Sequence, residues 1–142
     1  MRIVLTTAFV AALLPPTLAA NPTADACPKA ITDAQEYVSG ASEGWSAFGS
    51  RQEHPLQGVS FYSGSPDKKA LLAPTAEHLG GKAPRAEWAL PETQEPYWVA
   101  CEYAQTTVIV ARPLPAGTRS CTVKYVPHFS SPVASSWQCK AG

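Results

Sequence analysis

The chain has 142 residues, with 11 basic and 11 acidic side chains, 14 prolines, 9 glycines and 4 cysteines, enough for one domain and little more. A formal net charge of zero leaves no cationic excess to neutralise a phosphate backbone and no acidic tail, so nucleic acid is excluded as an expected partner. The 45% apolar content is that of a chain that folds rather than one that stays disordered.

Taken in chain order, the first element is a targeting segment. Arg2 supplies a short positive start, Ile3 to Leu14 is an uncharged apolar run, and Pro15 and Pro16 break it. Leu18-Ala19-Ala20 then offers small residues for cleavage, and Ala24-Asp25-Ala26 is a second possible cut site. A bilayer-spanning helix needs about 20 apolar residues, so the run is too short for an anchor. Ala24 stands three before Cys27, where a lipoprotein signal would place leucine, so lipidation of Cys27 is not expected. The expected organisation is a signal peptide over 1–20, a flexible tail over 21–26 and a single disulfide-stapled β domain over 27–142. The mature protein is then periplasmic or secreted, with no membrane span.

After residue 26, turn residues punctuate the chain at Gly40 and Gly44, Gly58, Gly64-Ser65-Pro66, Gly80-Gly81, Pro91 to Pro96, Pro113 to Gly117, and Pro127 to Pro132. Between them lie pieces with a period of two. A weak alternation runs over Ala30 to Val38. Val59 and Phe61 alternate with Ser60 and Tyr62. Further strands are expected at Ala86 to Leu90, Tyr97 to Tyr103, the β-branched stretch Thr106 to Ala111, Cys121 to Tyr125, and Val133 to Cys139. Pro66 to Leu72 can form one or two helical turns. The predicted fold is mainly β: a single antiparallel sandwich or small barrel of about seven short strands, with at most one short helix and two disulfides.

Four cysteines in an exported chain read as two bridges, with three possible pairings. A hairpin around Ser130 makes facing residues sum to about 260, which sets Cys121 opposite Cys139. A hairpin around Pro115 would place Cys101 about 26 Å from Cys121, at roughly 3.3 Å per residue, beyond the reach of a bridge. The expected pairs are Cys27–Cys101 and Cys121–Cys139. Separations of 18 and 74 residues are worth roughly 3 and 4.5 kcal/mol in the loop-entropy model.

Residues that could carry chemistry are scattered. His54, His78 and His128 are isolated in turn-like stretches and read as surface histidines. Zinc sites bring ligands in pairs two to four residues apart, which the cysteine spacing does not do. Ser63-Gly64-Ser65-Pro66 is a turn, not a nucleophile elbow, and Gly80-Gly81 is too short for a phosphate loop. The carboxylates Glu53, Asp67, Glu92 and Glu95 sit in loops without the fixed separation across a cleft that a glycosidase needs. No catalytic residue, metal ligand or cofactor is therefore expected. Trp45, Trp88, Trp98 and Trp137 read mainly as packing units. Trp88 and Trp98 are expected to meet across a Pro91–Pro96 hairpin, and Trp45 is the candidate for an exposed platform.

The order of short motifs is itself informative. Cys27-Pro28, Gly44-Trp45, Phe61-Tyr62-x-Gly64-x-Pro66 and Leu72-Ala73-Pro74 are followed by Trp88-x-Leu90-Pro91 and Tyr97-Trp98-Val99-Ala100-Cys101-x-Tyr103. Arg112-Pro113-Leu114-Pro115-x-Gly117 and Cys121-x-Val123 come last. This series resembles a family of small exported proteins of Gram-negative bacteria known mainly by a locus-tag name. The resemblance implies a signal peptide, a disulfide-containing domain, no catalytic residues to carry over, and an association of some members with secretion-system gene clusters. The reading that follows is a periplasmic, non-catalytic binding protein, an inhibitor or immunity protein against a cell-wall hydrolase, whose partner is another envelope or secreted protein. The expected contact loops are Ser39–His54 and Ser63–Pro84. A small-ligand module for sugar, lipid or peptidoglycan fragments is the alternative, and an envelope hydrolase the third.

Overall fold

Alternation of apolar and polar residues governs the observed architecture. The computed structural model describes residues 27–33 and 51–142. The expected signal peptide and tail, Trp45, and residues 39–50 of the first expected contact loop lie outside the described residues. Eight strands are formed among those described: β1 (Ala30–Asp33), β2 (Gln52–Ser63), β3 (Ala76–His78), β4 (Arg85–Ala89), β5 (Tyr97–Tyr103), β6 (Ile109–Pro113), β7 (Thr118–Val126) and β8 (Val133–Ala141). A single 3₁₀ turn spans Pro66–Lys68, with the proline at its start, inside the stretch expected to be helical.

Two four-stranded antiparallel sheets result, ordered β1-β2-β5-β6 and β3-β4-β7-β8. The chain therefore alternates between them in pairs of strands. It links the sheets by three crossovers, from β2 to β3, β4 to β5 and β6 to β7. These crossovers share one end of the sandwich, where Gly64 N donates to Pro96 O, Leu90 N to Arg119 O and Leu114 N to Tyr97 O. The hairpins β3–β4, β5–β6 and β7–β8 turn at the opposite end.

Two expected hairpins are thus corrected. Pro91–Pro96 and Pro113–Gly117 carry the chain between sheets, because Leu90 and Leu114 are buried under the links and pull each strand end into the core. Trp88 faces Cys121 in one sheet and Trp98 faces Tyr62 in the other, so the two indoles do not pair. β6 lies against β5, with Cys101 opposite Val110. The strongest β-branched stretch enters the sheet only at Ile109, and β3 is an additional short strand of largely exposed residues.

Both disulfides are those expected. Cys121 and Cys139 are register partners on β7 and β8, with Cα atoms 4.1 Å apart. Cys27–Cys101 ties the residues before β1 to β5, with a Cα separation of 5.7 Å. Cys101 and Cys121 belong to different sheets, so no hairpin sets them apart on one, and each is bonded to a partner within its own layer.

The core fills the space between the sheets. Phe61 on β2 is 0% exposed. Its ring centroid lies 4.9 Å from Trp88 on β4 and 6.4 Å from Trp137 on β8, both within the range of favourable tilted and edge-on ring contacts. Val59, Val99, Val123, Ala86, Leu90 and Leu114 complete the layer. The Trp88 indole N–H donates to Leu72 O at 3.1 Å, so this large ring carries its polar atom into the core with a partner. β2 runs through Gly58, where the ladder with β5 shifts register between Leu56 and Gly58, a bulge that absorbs the glycine without ending the strand.

Candidate interaction site

The residues weighed for catalysis are held apart and already engaged. Glu92 pairs with Arg119 at 3.0 Å, and Glu95 pairs with Lys68 at 2.7 Å, each bracing the crossover end. Exposed pairs of this kind are worth at most about 1 kcal/mol each, and they leave neither carboxylate poised against the other. Glu53 is exposed on β2. Asp67 lies in the 3₁₀ turn, where a hydrogen bond from the Ser65 side chain holds its carboxyl below the usual carboxylate range. Among the described residues no group of three or more His, Cys, Asp or Glu side chains could hold a metal ion, and all four cysteines are spent in disulfides.

His54 is the clear departure from the surface expectation. It lies on β2, 3% exposed, and its Nδ1–H donates to Ala104 O at 2.7 Å. The imidazole thereby fastens the start of β2 to the turn after β5, a structural task for a buried polar ring. His78 is exposed at the end of β3, and His128 stands at the β7–β8 tip against Phe129, with ring centroids 6.1 Å apart. Trp88 and Trp137 are buried and Trp98 is half-buried, so these three do not form an exposed aromatic platform.

A hollow of about 490 Å³ opens instead at the hairpin end, between the β5–β6 turn and the base of the β7–β8 hairpin. Its lining includes Gly58, Glu102, Thr106, Val108, Tyr125 and Pro132. Glu102 is half-buried there. A Cβ at Gly58 would stand 2.6 Å from its Oε2, so the carboxylate lies directly over the bare glycine. Neither Glu102 nor Tyr125 is among the residues singled out by motif. The available signal was a lone acidic residue inside the otherwise apolar strand Tyr97–Tyr103.

Burial first, and then the charges of Glu77 and Glu102, push the Tyr125 phenol above its usual value near 10. Burial also raises Tyr103, whose hydroxyl donates to Pro28 O. A raised folded-state pKa means that the fold favours the neutral phenol. Stability from these groups is therefore full below about pH 10 and is lost as pH climbs through the raised values. The expected result is a stability plateau through neutral pH and a decline above about pH 10 that is shallower in Tyr125→Phe. Urea titrations at stepped pH check it, and alkaline limbs of equal slope in the two proteins would contradict it.

Comparison with known families decides the assignment. Residues 51–140, from the start of the described β2 region through β8, match the model of the type VI secretion system Tli immunity protein family. This chain belongs to that family. No curated protein and no solved structure matches it. Most of the ordered motifs, from Phe61 to Val123, fall inside the matched span, while Cys27-Pro28 and Gly44-Trp45 precede it. Membership of an immunity protein family supports a non-catalytic role against a secreted effector.

Proposed function

We propose that this protein is exported to the periplasm, where it binds and neutralises a cognate effector delivered by a type VI secretion system. The family match carries the reading. The expected signal peptide at 1–20 and the two disulfides support the compartment, because such bridges persist in oxidising spaces. On this reading the mature working unit is the single stapled domain 27–142. Its rigid turns lose little conformational freedom on binding, and its crossover end is braced by proline-rich links and ion pairs.

The test uses the effector encoded beside the immunity gene, directed to the periplasm of a sensitive host. Co-expression of the full-length protein should restore growth, and the purified mature protein should co-elute with the effector. A protein lacking residues 1–20 should stay in the cytoplasm and fail to protect. Equal protection with and without that segment would overturn the export claim, and absence of both protection and co-elution would overturn the immunity reading.

A further inference from the structure

We infer that the hairpin end of the sandwich is the surface that docks the effector, and that the hollow around Glu102 receives a lysine or arginine side chain from it; this inference rests on the immunity reading above. Three independent features converge on this end. The first is the hollow itself, about 490 Å³ and open to solvent between two hairpins. Its open mouth lets a side chain projecting from a partner's surface enter, whereas a small-molecule site encloses most of its ligand.

The second feature is charge. Glu102 lies half-buried in the hollow, and no ion pair to it is formed by the described residues. Arg85, the cation at the start of β4, is already bound to Glu87 at 2.9 Å. The Glu102 carboxylate lies over Gly58, and Glu77 adds a second negative charge felt at Tyr125. A half-buried carboxylate beside a neutral phenol, two threonines and valine edges suits a cation with an apolar stem. Lysine and arginine bury such stems while keeping the charged head paired.

The third feature is exposed apolar surface. Among the described residues the large apolar side chains left exposed are Leu71, Leu79, Val108, Val110, Val126 and Phe129. All but Leu71 belong to the three hairpins that turn at this end, and Phe129 at the β7–β8 tip is fully exposed. An exposed aromatic side chain at the same end as a charged hollow supplies the kind of residue that anchors an interface. By contrast, the hollow of about 410 Å³ at the crossover end is lined by Pro91 to Tyr97 and Pro115 to Arg119, whose charges are satisfied internally.

The experiment measures binding of the purified cognate effector to the full mature protein by titration calorimetry or surface capture. Glu102→Lys should weaken binding by about 30-fold or more, and Phe129→Ala by about tenfold or more. Glu102→Gln, which keeps the shape, should weaken binding and flatten its salt dependence. The crossover-end variant Glu92→Gln should bind within about twofold of the parent. Should Glu102→Lys fail to fold, Glu102→Gln and the wholly exposed Phe129→Ala carry the test. If the parent binds the effector and all hairpin-end variants bind equally well, the docking assignment is overturned while the immunity reading stands. Loss confined to Phe129→Ala would overturn the basic side chain in the hollow. A parent that does not bind removes both.

Discussion

Replacing Cys27 and Cys101 together by alanine is expected to lower unfolding free energy by about 4.5 kcal/mol. The bridge closes a separation of 74 residues, so its removal frees far more conformations in the unfolded chain than removal of the 18-residue Cys121–Cys139 bridge, for which about 3 kcal/mol is expected. The longer bridge also has a local task. β1 is four residues long and pairs only with β2, too little to hold itself against fraying. The bond to Cys101 fixes the residues just before it to a central strand of the same sheet. Domains of this size hold about 5–15 kcal/mol in total, so the double variant should melt well below the parent. Urea denaturation of oxidised parent, both double variants and reduced parent gives the ranking. A Cys27/Cys101 variant within 1 kcal/mol of the parent, or less affected than the Cys121/Cys139 variant, would contradict it.

Phe61→Ala should cost about 3–5 kcal/mol. The ring is wholly buried and bridges the two layers, touching Trp88 and Trp137 of the opposite sheet. Truncation removes the transfer free energy of a benzyl group and leaves a void that two stiff indoles cannot easily fill. The same variant should red-shift indole emission as water reaches Trp88 and Trp137. A loss under about 1 kcal/mol with unchanged emission would mean that the layers are not keyed together at this residue.

Much of this fold was readable in the sequence because strands announce themselves by alternation. β5 occupies Tyr97–Tyr103 as expected, and the partnership of Cys121 with Cys139 followed from the turn at Ser130. Turn residues were less informative about where the chain goes next. Pro91 to Pro96 and Pro113 to Gly117 have the composition of hairpin loops, yet both cross between sheets. The distinguishing mark is a leucine at the foot of each, Leu90 and Leu114, buried by the link. Gly58 and His54-Pro55 looked like breaks, but the bulge at Gly58 and the His54 bond to Ala104 let β2 continue for 12 residues. The family match, not the periodicity, gives the biological role. The hollow at Glu102 depends on two hairpins meeting in space, which no local pattern encodes.

The division of labour between the two ends has an evolutionary consequence. All three passages from layer to layer run through one pole, so the tips at the other pole are dead-end excursions that return to their own sheet. Lengthening or rewriting such a tip leaves the wiring of the two sheets untouched. Change of sequence can therefore concentrate in the tips at 105–108 and 127–132, while the braced pole and the two covalent rivets are inherited unchanged.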